Sequence, residues 1–341
     1  MSEAPRGIIV LLSACNFVIG MGVFLVIGVV EPMAGAMGVP VTAVGGLLTV
    51  YAVAYAICTP LLVALTGRAG RRRVLSLGLA MFVAAFALAA ISPGLAPVYT
   101  TRVLAALGAG LVTPVTLAIA ATLAAPEKRG QALSTVFLGF PLAQAAGVPA
   151  GSWIAYTFGW QSAFASVAML GLPVLWLVWR RVPSGLRFDP VRLPDLWALV
   201  RDPVVVVTVG FTCVFLGAVN IVYTYLPSLL TQRMGFGRDG VALALLIYGV
   251  GAPLGNVIGG WMADRFGAIR SLALICLGQI ALFPVFSVLP LPGAALFALV
   301  FLWAVVGWAF SPSQQLRLVQ LDPARAQVLL SLHAASIYIG I

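Results

Sequence analysis

Charge is scarce in this chain. Only 8% of its 341 residues are charged against 62% hydrophobic, and the mean hydropathy is +1.10. A soluble globular domain carries about 25% charged residues, so this surface cannot be solvated by water and a soluble fold is excluded. Acidic residues are scarcer still, 9 against 19 Lys and Arg. Glu3, Glu31, Glu127, Asp189, Asp195, Asp202, Asp239, Asp264 and Asp322 all fall outside the middle of an apolar run. That leaves no paired carboxylates for hydrolysis and no evident buried acid to bind and release a proton. His333 is the single histidine, and Cys15, Cys58, Cys213 and Cys276 each stand alone inside an apolar run, without disulfide or metal-ligand spacing. With no Ser/His/Asp set or metal cluster, an integral-membrane enzyme is the least favoured class, and no cofactor or metal is expected. The first apolar run lacks a small-residue cleavage pattern ahead of a soluble domain, so it reads as a retained helix rather than a signal peptide.

What the chain has is long apolar runs. A helix of about 20 residues spans a bilayer, and six such runs occupy 8–30, 41–65, 74–92, 96–123, 131–155 and 160–180. Five more occupy 204–231, 241–263, 270–289, 293–316 and 326–341, numbered here as spans 1 to 11. Between the two groups, the charged, proline-bearing stretch from Arg180 to Asp195 reads as a linker, with a helix near Leu196 to Arg201. The expected domains are therefore an N-terminal six-helix bundle over 1–180, a cytoplasmic linker over 181–203, and a five-helix C-terminal bundle over 204–341. The net charge of +10 would suit nucleic acid if it were clustered on one soluble face. Instead, alternating the loops from a cytoplasmic N-terminus puts sixteen of the nineteen basic residues on the cytoplasmic side, as the positive-inside rule requires. A multi-pass protein of the plasma (bacterial inner) membrane follows, with the lipid bilayer rather than nucleic acid as its partner.

The chain also repeats itself. Gly67-Arg68-Ala-Gly70-Arg71-Arg72-Arg73 after span 2 and Asp264-Arg265-Phe-Gly267-Ala-Ile-Arg270 after span 8 lie 197 positions apart. The same offset carries Tyr51 onto Tyr248, Pro126 onto Pro323 and Ser134 onto Ser331. Arg129-Gly-Gln131 maps on Arg325-Ala-Gln327 if one residue is dropped. Three blocks in one register indicate duplicated parallel halves, the plan of many secondary transporters. Six spans followed by five is an incomplete repeat, so eleven helices of an expected twelve are present and truncation within span 11 is expected.

On these residues the sequence resembles the major facilitator superfamily, and within it the drug- and sugar-efflux permeases of the proton-antiporter branch. The pattern of the loop after span 2, Gly-x-Leu-Ala-Asp-Arg-x-Gly-Arg-Arg, is met here by Val63-Ala-Leu65-Thr-Gly67-Arg68-Ala-Gly70-Arg71-Arg72, with Gly67 in place of the aspartate. The second copy keeps it as Asp264. Arg102 followed by Gly108 and Gly110 matches the span 4 pattern, and Gly147-Val-Pro149-Ala-Gly151 with Gly159-Trp160 looks like the antiporter motif of span 5. The resemblance implies an all-α membrane protein with a two-bundle fold. It further implies gating roles for Arg68, Gly70, Arg71, Asp264, Arg265, Gly267, Gly147, Pro149 and Gly151. The glycines and Pro149 would permit a bend and close packing against span 1 or 8. Efflux relatives often carry an acid in span 1, where this chain has Phe24.

The same resemblance puts a substrate cavity between the halves, lined mainly by spans 1, 4, 7 and 10 with help from 2, 5, 8 and 11. Polar and aromatic residues on those spans are the candidates: Asn16, Tyr51, Tyr55, Arg102, Asn220, Tyr223, Tyr248, Trp308, Gln315 and His333, with Gln144 and Gln314 beside them. Each has a competing reading as a helix-packing hydrogen bond, and Arg102 as a side chain reaching for the outer interface. Relatives favour Asn where this chain has His333, whose side-chain type titrates near pH 6.5. The expected function is export of a small molecule, a sugar, nucleoside or drug-like compound, by alternating access, with protons as the candidate coupling ion and the monomer as the working unit. A facilitator or importer of the same fold, or a transport-dead membrane scaffold, are the alternatives.

Overall fold

The computed structural model describes residues 6–67, 69–185, 193–236, 238–288 and 290–340. They form helices joined by short turns, with no strand among the described residues. Spans 1 to 4 are Arg6–Met37, Val41–Leu65, Arg71–Ala90 and Leu95–Leu123. Span 5 is two helices, Arg129–Phe137 and Gly139–Phe158, and span 6 is Trp160–Arg181. After the linker helix Leu193–Arg201 come Pro203–Met234, Arg238–Phe266 and Ala268–Leu282, which continues as a 3-10 turn over Phe283–Val288. Span 10 is again two helices, Gly293–Trp308 and Phe310–Leu321, and span 11 is Ala326–Gly340. Among the described residues nine helices meet the length and hydropathy of a membrane span, a bent pair within 126–158 supplies a tenth, and Ala326–Gly340 is a shorter apolar helix.

The spans carry apolar residues on their exposed and their buried sides alike, and packing decides which side is core. On span 2, Val53, Ile57, Leu61 and Leu65 are exposed at four-residue steps, while Leu47, Tyr51, Tyr55 and Thr59 are buried. The exposed stripe suits lipid tails and the buried stripe faces other helices. Lipid provides no hydrophobic drive between helices, so association rests on close approach of small residues. In the first half Gly78 of span 3 and Gly108 of span 4 meet; a Cβ on Gly108 would lie 2.8 Å from the Phe82 nitrogen. In the second half Gly251, Gly255 and Gly259 make one smooth face of span 8, and the backbone of span 10 lies directly on the latter two.

Within the first half span 1 packs on span 5, span 2 on span 4, and span 3 on spans 4 and 6; within the second, span 8 packs on span 10 and span 11 on span 7. The halves meet where span 11 lies against spans 2 and 4 and span 8 lies against span 5. Two turns need glycine outright, because Gly159 before span 6 and Gly267 before span 9 have φ of +87° and +81°. Gly70, the repeat counterpart of Gly267, sits at φ −59° and has no such requirement.

Candidate functional site

A cavity of about 150 Å³ lies between the halves. A cavity of about that volume takes a ligand the size of one small ring. All eight expected spans contribute, and Tyr55, Asn220, Tyr223, Tyr248, Trp308, Gln315 and His333 line it together. Phe24, Gln144, Ser311 and Tyr338 complete its character, and no Asp, Glu, Lys or Arg is among its described lining residues. Local structure explains much of this. Span 10 breaks at Ala309, directly after Trp308, and span 5 breaks at Leu138, between the cavity-lining rings of Phe137 and Phe140.

The walls are aromatic. The rings of Tyr223 and Tyr248 are 4.7 Å apart and Tyr248 lies 5.0 Å from Trp303 behind it. Such ring pairs hold one another in place and present flat faces to a ligand. The polar groups fall into two kinds. Asn220 is tied by Nδ2 to the Leu216 carbonyl at 2.9 Å, whereas the buried Gln315 has no protein partner for either its amide nitrogen or its amide oxygen. An unpaired amide in an apolar setting costs on the order of 1–3 kcal/mol, so Gln315 is poised for a ligand or water.

His333 is held on one side. Its Nδ1 lies 3.2 Å from Thr212 Oγ1, which also accepts from Gln314 Nε2 at 3.1 Å. Thr212 thus bridges the Gln314 amide and one ring nitrogen of the histidine, its hydroxyl able both to donate and to accept. Nε2 has no protein partner. Gln314, anchored additionally to the Thr208 carbonyl at 2.6 Å, thus orients the histidine and is absent from the described cavity lining.

Three expected substrate residues are placed elsewhere. Asn16 is fully buried among spans 1, 4 and 5, its Nδ2 donating to the carbonyls of Leu12 and Val136, both 3.2 Å away, and to Thr116 Oγ1 at 2.9 Å; it staples helices. Arg102 is 1% exposed, so it does not reach the interface. Its Nη1 donates to the Gly22 carbonyl at 3.2 Å, and its guanidinium lies 4.6 Å above the Tyr51 ring and 5.6 Å from Phe86. Tyr51 is occupied by that contact and by Tyr338 at 5.8 Å. Tyr338, which sequence reasoning passed over, packs at a tilt against Tyr55, with ring centroids 4.4 Å apart, and lines the cavity. Its signal was available: an aromatic five positions beyond His333 on the same span.

One end of the bundle is closed by span 8 against span 5; it carries Arg71, Arg129, Asp264 and Arg325. The Asp264 carboxylate accepts from the backbone N–H groups of Gly130 at 2.6 Å and Gln131 at 2.7 Å, at the positive end of the Arg129–Phe137 helix dipole. Close packing surrounds it. A Cβ on Gly130 would stand 2.5 Å from Asp264 Oδ1, and one on Gly260 would stand 2.5 Å from Ser134 Cβ. Asn256, two helical turns before Asp264 and not singled out in the sequence, donates to the Ser134 carbonyl at 2.6 Å. Arg265, by contrast, is exposed. Arg71 is buried and donates to the Gly67 carbonyl at 3.2 Å, and Arg68 lies outside the described residues. Gly147 and Gly151 pack on span 1, where added Cβ atoms would come 3.2 Å from Phe24 Cβ and 2.5 Å from the Leu25 carbonyl. Span 5 bends by 41° between Gly147 and Pro149, and the Pro149 ring itself is exposed.

The sequence profile of the Major Facilitator Superfamily matches residues 12–341. The chain belongs to the major facilitator superfamily. It is 31% identical to the uncharacterized MFS-type transporter YbcL of Bacillus subtilis (strain 168), over 95% of this chain and 83% of that protein. It is 27% identical to a probable sugar efflux transporter of Mannheimia succiniciproducens, over 98% of this chain and 84% of that protein. Among solved structures, the fold matches the Escherichia coli fucose:proton symporter FucP with a TM-score of 0.80 at 14% identity, covering 99% of this chain and 90% of that one. The protein is a multi-pass membrane transporter of small molecules, not an enzyme.

Proposed function

We propose that this transporter exports a neutral or weakly polar small molecule, a sugar, nucleoside or amphipathic drug-like compound, by alternating access across the plasma (bacterial inner) membrane. The end that carries Arg71, Arg129 and Arg325 faces the cytoplasm in this reading, as the basic loops favour. One observation carries it: the cavity combines closely packed aromatic rings with the unpartnered amide of Gln315 and has no charged group among its described lining residues. Rings and amides bind hydroxyl-bearing or aromatic cargo, whereas a charged cargo would lack a counter-ion there. Arg102, the candidate that could have favoured anions, is absent from the described lining; its Nη1 donates to the Gly22 carbonyl and its guanidinium faces Tyr51 and Phe86, while Nε and Nη2 have no protein partner. The direction rests on the relative named as a probable sugar efflux transporter.

Cells expressing the chain, screened with radiolabelled sugars, nucleosides and drugs, test it. The expected result is reduced retention of one neutral class, lost in Gln315→Ala and Tyr248→Ala at normal membrane abundance. Net uptake of that compound instead would identify an importer or facilitator, and carriage of anions alone would overturn the reading.

A further inference from the structure

The two repeat copies end differently at the basic end. In the second copy the Asp264 carboxylate caps the first N–H groups of the Arg129–Phe137 helix. The repeat register places Gly67 where Asp264 stands and carries Gly130 and Gln131 onto Ala326 and Gln327. Ala326 and Gln327 open span 11, and the first N–H groups of a helix have no intrahelical partner. Their counterpart of Asp264, Gly67, has no side chain to offer.

The structure has a cavity of about 140 Å³ at that position. Gly67, Ala326 and Gln327 all line it, together with Arg71, Arg129 and Arg325. A second observation points to a ligand. Gln327 is only 7% exposed, and its Nε2 donor has no partner in the protein. Arg325 is paired with Asp322 at 2.5 Å, and Arg71 and Arg129 bring two further guanidinium groups to the wall. A helix N-terminus, an amide donor and these guanidinium groups around one void make an oxoanion site.

We propose that this pocket binds a small oxoanion, inorganic phosphate or a phosphomonoester headgroup, which stands in for the carboxylate missing at Gly67 and holds span 11 against span 2. Closure of the basic end is then anion-dependent in one half and built in, through Asp264, in the other.

Thermal unfolding of the purified chain in detergent, with inorganic phosphate titrated against chloride at matched ionic strength, tests this. The expected result is a saturable rise in Tm with phosphate. Gly67→Asp supplies the carboxylate internally, so it should raise the phosphate-free Tm and lose the phosphate response. Gln327→Leu, which leaves Gly67 in place, should weaken apparent phosphate affinity about tenfold and covers the case in which Gly67→Asp does not fold. Stabilisation by phosphatidic acid micelles without stabilisation by phosphate, again lost in Gln327→Leu, would assign the same pocket to a lipid headgroup. A phosphate effect no larger than chloride's with no lipid effect overturns the proposal, as does an undiminished response in both variants.

Discussion

Replacing Asp264 with Asn removes a charge from the contact that ties span 8 to span 5. The carboxylate accepts two backbone N–H groups, at 2.6 and 2.7 Å. Hydrogen bonds to a charged group contribute about 1.5–3 kcal/mol each, and an anion at a helix N-terminus about 0.3–1 kcal/mol more. An amide of the same shape keeps one neutral acceptor, worth about 0.5–1.5 kcal/mol, and turns an NH₂ group toward the other N–H. Asp264 is half-buried, so solvent screening favours the low end of the difference, about 2 kcal/mol. Because the bond joins the two halves, that loss falls on the closed arrangement and not on either bundle alone. At 1.4 kcal/mol per tenfold, the closed form of this end loses roughly thirtyfold in population relative to the open one. Ser134 reports on it, since it is 4% exposed and packs against Gly260 across the same interface. A single cysteine at Ser134→Cys, in a background without the native cysteines, should react with a maleimide much faster in purified Asp264→Asn than in its parent. Transport should fall in step. Labelling within twofold of the parent, with transport intact, would refute a gating role for Asp264.

His333→Asn keeps a hydrogen-bonding group opposite Thr212 and removes the imidazole ring. Where transport is proton-coupled, the variant should retain substrate-dependent stabilisation but lose accumulation driven by a pH gradient in proteoliposomes; an unchanged pH profile moves the coupling site to another group. Asn16→Leu deletes three buried hydrogen bonds and should destabilise by about 1–3 kcal/mol, read as a lower Tm with unaltered apparent affinity for cargo. Altered affinity at an unaltered Tm would put Asn16 back in the substrate path. A cysteine at Ser184, at the end of the first half, should be labelled by impermeant reagents only in inside-out vesicles; labelling of intact cells would invert the proposed orientation.

The spans were legible in the sequence because a bilayer leaves few options. Backbone groups in lipid must be paired within the segment, so each crossing needs an apolar run of fixed length, and the eleven runs each fall on helix, with the first ending seven residues short of Met37 and the tenth five short of Leu321. The repeat was legible for a similar reason: loops with many arginines, glycines and a conspicuous Asp keep their register after the apolar residues between them have drifted. Even the linker helix was anticipated near Leu196 and runs from Leu193 to Arg201. What the sequence left open was which side of each span faces what. In a water-soluble helix, hydrophobic periodicity marks the core face. Here Val53 and Ile57 face outward and Leu47 faces inward, all equally apolar, so the period carries no signal. Tyr51 and Tyr248 are repeat partners, yet one supports Arg102 and the other lines the cavity. Asn16 and Gln315 are both buried amides, one spent on helix packing and one left open. Only the way the helices pack in three dimensions, through glycine contacts and the breaks at Leu138 and Ala309, decides which polar groups find partners within the protein and which wait for a ligand.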